Sequence, residues 1–362
     1  MSSNFGKHIE ISIFGESHGE AIGVVMNGLP AGEVLDMQNI REQLARRAPG
    51  RDKSTTPRKE KDEFRFLSGV LNGKTTGAPL CAIIENTNTQ SKDYTLLARM
   101  PRPSHSDYAA FVKYDGCNDI RGGGHFSGRL TAPIVLAGAI CRQMLARRGV
   151  LIGGHIKNIG MVFDAPMDRV GIDGVTLDRL GNSFFALLDP TKEEAMRAEI
   201  EAARLEQDSV GGSVEIAAVG LPAGLGAPMF GGVENVLSAA VYAIPAVKSV
   251  SFGAGADFAT LRGSAANDQM RMENGRIITT TNNCGGITGG ITNGMPLVLT
   301  AVLKPTPSIA QQQCTVDLTQ MCDTTLQIQG RHDPCIVPRA LPGVEAIVAV
   351  ALADLMCEEG LL

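Results

Sequence analysis

The five residues Gly28-Leu29-Pro30-Ala31-Gly32 occur a second time as Gly220-Leu221-Pro222-Ala223-Gly224. Gly and Pro restrict the backbone in opposite ways, so the repeat prescribes one turn twice. Each copy follows an apolar strand-like run and precedes a helix-like one. Two more landmarks keep the same order. Asn72-Gly73 through Pro79-Leu80 parallels Asn293-Gly294-Met295-Pro296-Leu297, and Arg102, His105 and Asp107 parallel Arg331-His332-Asp333. The latter two each precede a long apolar helix. The pattern predicts two similar halves, about 8–190 and 191–358, packed as one body in a single domain. At 362 residues the chain is long enough to bury such a core.

Between the landmarks lies Asp119-Ile120-Arg121-Gly122-Gly123-Gly124-His125-Phe126-Ser127-Gly128-Arg129-Leu130-Thr131. Three glycines leave no Cβ to hold a ligand away. Thr131-Ala132-Pro133 then opens a helix, with Pro where its missing N–H costs nothing. The helix runs from Ile134 to Arg148, stops at Gly149, and is apolar on every side of its first half, so it is buried. A Gly-rich loop feeding a buried helix N-terminus suits a phosphate-bearing ligand.

The rest of the chain reads as alternating strands and helices. Strands are expected at 8–14, 21–26, 155–163 and 213–219, and a strand pair over 66–85 turns at Asn72-Gly73. Helices are expected at 36–47, 234–243 and 344–358. A short helix to Lys113 begins at Ser104 or Ser106, and one from a capping box at Thr191 runs to Gln207. Residues 46–65 carry eight basic side chains against four acidic ones. They form either a solvated loop or a basic flap over an anionic substrate.

Net charge of −5 excludes a general binder of nucleic acid or membrane surface. No run of 18 apolar residues is present, so no membrane span is expected. The start lacks the apolar core of a signal peptide. Eight cysteines without a C-x-x-C pair point to a reducing cytoplasm and to no structural zinc.

Gly15-Glu16-Ser17-His18-Gly19 matches the G-x-S-x-G nucleophile elbow, but that device needs a helix after the Ser, and Ile22 to Met26 reads as a strand. A serine hydrolase is therefore disfavoured. Gly69 to Thr75 has one residue too few between its glycines for a P-loop, and neither glycine cluster reads G-x-G-x-x-G. No metal-ligand spacing occurs. What stands out is a set of loop residues: His18, His105, His125 and His332, with Arg47, Arg102, Arg121, Arg129, Arg331 and Arg339. Arginine binds phosphate and carboxylate bidentately, so the set suits a multiply anionic substrate. A non-catalytic carrier of an anion or a flavin is the competing class.

These residues also carry a family likeness. Gly15-Glu16-Ser17-His18-Gly19, Gly28 to Gly32, Arg46-Arg47-Ala48-Pro49-Gly50, Arg102-Pro103-Ser104-His105-Ser106-Asp107, Arg121 to Thr131, Lys304-Pro305-Thr306 and Gly330-Arg331-His332-Asp333-Pro334 together resemble chorismate synthase, in that family's order. The resemblance implies an α+β fold, a β-α-β sandwich with internal pseudo-two-fold repeat, in a cytoplasmic homotetramer. It implies a lyase that converts 5-enolpyruvylshikimate 3-phosphate to chorismate and phosphate by anti-1,4-elimination, the last common step of aromatic amino acid biosynthesis. Reduced FMN is required without net redox change. NADPH is the ultimate reductant, and an external flavin reductase is expected because no reductase domain is visible.

By position, the resemblance assigns proton transfer to His18 and His105, one towards the reduced flavin and one towards the leaving phosphate, and a proton relay to Asp333. Flavin contacts fall on His125, Phe126, Ser127, Gly289, Lys304, Pro305, Thr306, Pro307, Ser308 and Arg331. Substrate contacts fall on Ser17, Arg47, Arg102, Arg129 and Arg339, with Arg47 also placed for NADPH. The chain departs from the family at several points. His125-Phe126-Ser127 stands where many members have Arg-Ser-Ser, Pro307 where a Ser is usual, and Pro245-Ala246 where Asn-Ala is common. His125 makes one positive charge near the flavin conditional on its protonation.

Overall fold

The computed structural model describes residues 3–50, 62–87, 96–328 and 333–362. Two five-stranded antiparallel sheets enclose a layer of helices. The first holds β1 (Asn4–Phe5), β2 (Glu10–Gly15), β3 (Ala21–Asn27), β4 (Phe64–Ser68) and β7 (Leu80–Glu85) in the order β1-β2-β3-β7-β4, with a small hairpin of β5 (Val70–Leu71) and β6 (Lys74–Thr75) beside it. The hairpin turns at Asn72-Gly73, both at positive φ, as that dipeptide predicts. The second holds β8 (Leu151–Ile159), β9 (Val162–Phe163), β10 (Gly212–Val219), β11 (Val247–Phe252) and β16 (Leu297–Leu303) in the order β11-β16-β10-β8-β9. Hairpins β12/β13 (Met270–Glu273, Arg276–Thr279), β14/β15 (Ile287–Thr288, Ile291–Thr292) and β17/β18 (Gln312–Asp317, Cys322–Gln327) lie outside the sheets.

The helices are α1 (Met37–Arg47), α2 (Asp107–Lys113), α3 (Thr131–Arg147), α4 (Gly174–Gly181), α5 (Glu193–Leu205), α6 (Val233–Tyr242), α7 (Gly263–Ala266) and α8 (Val337–Glu358). In the middle layer α3 packs on the first sheet and on α8, and α8 packs on β8 and β10 of the second. A Cβ on Gly138 of α3 would stand 2.3 Å from Ala346 Cβ of α8, so only glycine permits that helix contact. α8 is long and apolar enough to cross a membrane, but 94% of its apolar window is buried inside the protein. It starts seven residues before the expected Val344 and carries Pro342 inside. Burial of nearly every residue from Val337 to Met356 outweighs the one backbone bond that Pro342 cannot make. Asp354 on α8 accepts the N–H groups of Lys7, His8 and Ile9 at 2.7–3.0 Å and so ties down the start of β2.

Other boundaries differ locally. β8 begins at Leu151, not His155, and breaks at Gly160-Met161 before β9. Thr191 does not cap α5; Asp189 accepts from the N–H and hydroxyl of Thr191 and caps a 3-10 turn ahead of the helix.

Both copies of the repeated pentapeptide are held by the same three bonds. Thr75 Oγ donates to Pro30 O and Thr292 Oγ to Pro222 O, both at 2.6 Å. Gly32 and Gly224 N–H donate to the same two threonine carbonyls at 2.8 Å, and Glu33 and Leu225 N–H donate to the hydroxyls at 2.9 Å. These bonds pair Thr75 with Thr292, so Asn293-Gly294 corresponds to Thr76-Gly77 and not to Asn72-Gly73. Strand order β2-β3-β7-β4 likewise matches β8-β10-β16-β11. Because β8 pairs with β10, the second sheet begins near residue 150, forty residues before the expected division.

Across the second sheet, buried His155 meets Asp164 through Nδ1 at 2.6 Å and Glu215 through Nε2 at 3.2 Å, and Lys157 donates to Glu215 at 3.0 Å. Burial alone would raise the Glu215 carboxyl, but His155 and Lys157 outweigh it and pull it from 4.5 down to about 2. Burial would lower His155, and its two carboxylates raise it instead. A depressed acid contributes stability above its ordinary pKa and loses it as pH falls through the folded value. The raised imidazole contributes below 6.5 and loses its share as pH rises through its elevated value. Urea midpoints are therefore expected to fall as pH drops from about 4.5 to about 2, and this part of the fall to vanish in Glu215→Gln, whose titration curve decides the matter.

Candidate active site

A cavity of about 570 Å³ opens where α1 ends, α3 and α8 begin, and the 119–131 stretch meets the end of β16. That volume is ordinary for a small-molecule or cofactor site, about 300–1,000 Å³. Two helix N-termini face it, which favours anions there.

The three glycines take positive φ (60°, 84° and 53°), which allows the chain to double back between two imidazoles. A Cβ on Gly122 would lie 2.2 Å from the His18 ring and 2.7 Å from Ser17 Oγ. A Cβ on Gly123 would lie 3.5 Å from Cε1 and Nε2 of His105. Ser17 N–H donates to Gly124 O at 3.1 Å and pins the 15–19 turn to the loop. Ser17 lines the cavity; His18 is buried behind it, against Gly122. Ser17 is followed by strand β3, so it is no nucleophile elbow.

The arginines are held by three acids, of which Asp107 and Asp333 belong to motifs already named and Asp62 does not. Asp62 accepts from Arg47 Nη1 at 3.0 Å and is ion-paired to Arg129. Burial would raise its carboxyl, but the two guanidiniums hold it below the usual range. Arg47 also donates to Thr131 Oγ1 and Gly128 O, each at 3.0 Å, and Arg129 to Asn86 Oδ1 at 3.1 Å. Arg102 forks onto Asp107 through Nε (2.7 Å) and Nη2 (2.8 Å) and reaches Ser308 Oγ at 3.1 Å. Arg339 donates to Arg47 O at 3.1 Å and is ion-paired to Asp333. Arg121 instead folds onto Asp119 and does not reach the cavity.

Lys304 is bonded to Ser104 O, and its ammonium is lowered by burial and then by the charge of Lys248, another lining residue. Among the described residues, six cations line the cavity or its floor (Arg47, Arg102, Arg129, Arg339, Lys248, Lys304) against three carboxylates (Asp62, Asp107, Asp333). The surplus suits an anionic ligand. The signal for Asp62 was present: it is an acid inside a basic run.

Of the other expected residues, His105, His125, Phe126, Ser127, Thr306, Pro307 and Ser308 line the cavity. Pro305 and Gly289 do not; Gly289 sits exposed on the β14/β15 turn. Arg331 and His332, and the 51–61 part of the basic flap, lie outside the described residues. His125 is engaged at both ring nitrogens. Nδ1 donates to Gly15 O at 2.7 Å, and Nε2 shares a hydrogen bond with Ser3 Oγ at 2.8 Å. It braces the 15–19 turn. The Ala243–Lys248 segment, noted in the sequence only for Pro245-Ala246, forms a largely apolar wall, with Ala246 at φ 73° and its carbonyl accepting from Lys304 N–H. No group of three His, Cys, Asp or Glu suited to a metal ion occurs among the described residues.

The family model for chorismate synthase matches residues 9–357. The chain belongs to the chorismate synthase family. The chorismate synthase of Dehalococcoides mccartyi is 44% identical over 362 residues, covering 100% of this chain and 98% of its own. That of Thermococcus kodakarensis is 46% identical over 349 residues, covering 96% of each. A crystal structure of chorismate synthase superposes with a TM-score of 0.76 at 27% identity, covering 98% of this chain and 93% of the other. As a chorismate synthase the protein is a carbon–oxygen lyase of aromatic amino acid biosynthesis. Its mixed α+β fold is that of the chorismate synthase structure.

Proposed function

We propose that the cavity carries out the anti-1,4-elimination of phosphate from 5-enolpyruvylshikimate 3-phosphate, giving chorismate, with reduced FMN bound beside the substrate and no net redox change. The observation that carries this is the surplus of fixed cations around a cavity that also holds His105 and Asp333. Developing charge on the departing phosphate is best met by cations that need not move, and Asp62 and Asp107 immobilise Arg47, Arg129 and Arg102 beforehand. Arg339 takes a substrate carboxylate. His105, beside Arg102, serves the leaving phosphate, His18 acts from behind the glycine loop, and Asp333 relays the proton from C6.

The residues present fit a flavin. Thr306 Oγ1 is buried against the cavity with no partner among the described residues, the Ala243–Val247 wall and Phe126 supply apolar surface, and Lys304 with Lys248 supplies charge for a phosphate. Ser127, Thr306 and Ser308 would supply its hydrogen bonds; Pro307 leaves a gap there of one hydroxyl. When bound, reduced FMN lends electron density to the electron-poor allylic centre. NADPH as ultimate reductant, an external flavin reductase, a cytoplasmic homotetramer, and two similar halves complete the proposal. Matched strand order and pentapeptide bonding support the two halves, with the division near residue 150.

The test is anaerobic phosphate release from 5-enolpyruvylshikimate 3-phosphate with and without reduced FMN. Release that depends on the reduced flavin is expected. A protein that binds flavin and releases no phosphate is a carrier, and the proposal falls.

A further inference from the structure

Asn86 follows β7 and joins two parts of the site that are far from it in the chain. Its Nδ2 donates to Glu16 O at 3.0 Å and to Gly19 O at 2.9 Å. Its Oδ1 accepts from Arg129 Nε at 3.1 Å. Its backbone N–H donates to Glu20 O at 3.0 Å. Each partner fixes the role of the atom it meets, because a carbonyl oxygen only accepts and a guanidinium only donates. Turning the amide over would set its oxygen against two carbonyls and its NH₂ against a guanidinium. One orientation therefore satisfies Glu16, Gly19 and Arg129 together.

These bonds close a bracket around the 15–19 turn. On one side Ser17 N–H donates to Gly124 O at 3.1 Å and His125 Nδ1 to Gly15 O at 2.7 Å, which fasten the turn to the glycine loop. On the other, Asn86 takes the carbonyls of Glu16, Gly19 and Glu20, which flank Ser17 and His18. Gly15 and Gly19 bound the turn, so its own backbone restrains it weakly. Arg129 lines the cavity, whereas His18 is buried behind Ser17.

We infer that Asn86 is a positioning residue: its NH₂ holds the turn that carries His18 and its oxygen holds Arg129, so one amide sets the imidazole against the substrate-binding guanidinium. The inference rests on the proposed proton-transfer role of His18. Arg129 is also ion-paired to Asp62 and keeps that restraint without Asn86, so the effect of losing the amide falls mainly on the turn.

Asn86→Asp separates the two arms. An ionised carboxylate keeps an acceptor for Arg129 Nε, loses both donors, and sets an oxygen against Glu16 O and Gly19 O. The expected result is a kcat loss of ~10²-fold, the cost of misplacing a group by about 1 Å. The His18 ring signals in NMR spectra are expected to move with it. In a His18→Ala background the same substitution is expected to cost little more, because residues that act through one group are non-additive. Asn86→Ala removes both arms without adding charge and is expected to show the same non-additivity. A residue of merely structural role would slow both backgrounds alike, and that outcome overturns the inference, as do unmoved His18 signals in Asn86→Asp. His18→Ala alone separates the two levels. Wild-type turnover in that variant overturns the proton-transfer role itself, whereas slow His18→Ala beside fast Asn86→Asp overturns only the positioning role.

Discussion

His105→Ala is expected to lower kcat by ~10²–10⁴, the usual cost of removing a positioned acid–base group, with substrate binding largely kept. Binding should persist because the cations that hold anions here are fixed by other residues: Arg47 and Arg129 by Asp62, and Arg339 by Asp333. His18→Ala is expected to lower kcat over the same range. His18 does not line the cavity, and its ring packs on Gly122, so the loop transmits its position. Gly122→Ala supplies the control. The new Cβ would stand 2.2 Å from the His18 ring, at a φ of 60° that disfavours alanine, and so displaces an intact imidazole. Loss of kcat in Gly122→Ala similar to that in His18→Ala supports a role for the imidazole. Steady-state phosphate release with reduced FMN supplied measures all three, and unchanged kcat in both histidine variants refutes the assignment.

Glu345→Ala is expected to destabilise the protein by about 3–5 kcal/mol, the cost of leaving buried charge without its partner. Glu345 is fully buried in α8 and binds Arg46 at 2.6 and 3.2 Å and Arg142 at 3.2 Å, joining α1, α3 and α8. Arg46 also donates to Ser183 O at 3.0 Å, and Arg142 to Ile152 O at 2.8 Å. Without Glu345 two guanidiniums remain in a low-dielectric interior. Arg46 is the neighbour of Arg47 at the end of α1, one facing the core and the other the cavity. The variant is therefore also expected to loosen the substrate site. Urea unfolding checks the first effect, and a change under about 1 kcal/mol would show that water reaches the pair.

Much of the site was legible because it is built from loop motifs. Gly122-Gly123-Gly124 could only be a close-approach turn, and the Arg102-Pro103-Ser104-His105 turn carries its chemistry within four residues. The charges that balance the arginines were legible where they share a motif, as Asp107 does with Arg102, but the long-range pairings were not. Asp62 lies 67 residues from Arg129, and Glu345 lies 299 from Arg46. No local pattern encodes such a pairing, because it forms only when the helices are packed. His125 shows the converse. Its motif position suggested a flavin contact, and it does line the cavity, but its two ring nitrogens brace Gly15 and Ser3.

From the amino-acid order alone came the family, the helices α1 and α3 to within a residue or a few at each end, the doubled turn, and the loops that hold the catalytic candidates. Local steric rules and short-range hydrogen bonding decide such features. Tertiary structure alone decided which strand joins which sheet, that the doubled turn pairs Thr75 with Thr292, and that Arg47 and Arg129 share the carboxylate of Asp62. Those outcomes depend on contacts between residues far apart in the chain, where burial strengthens each charge interaction and leaves an unpaired charge too costly to keep.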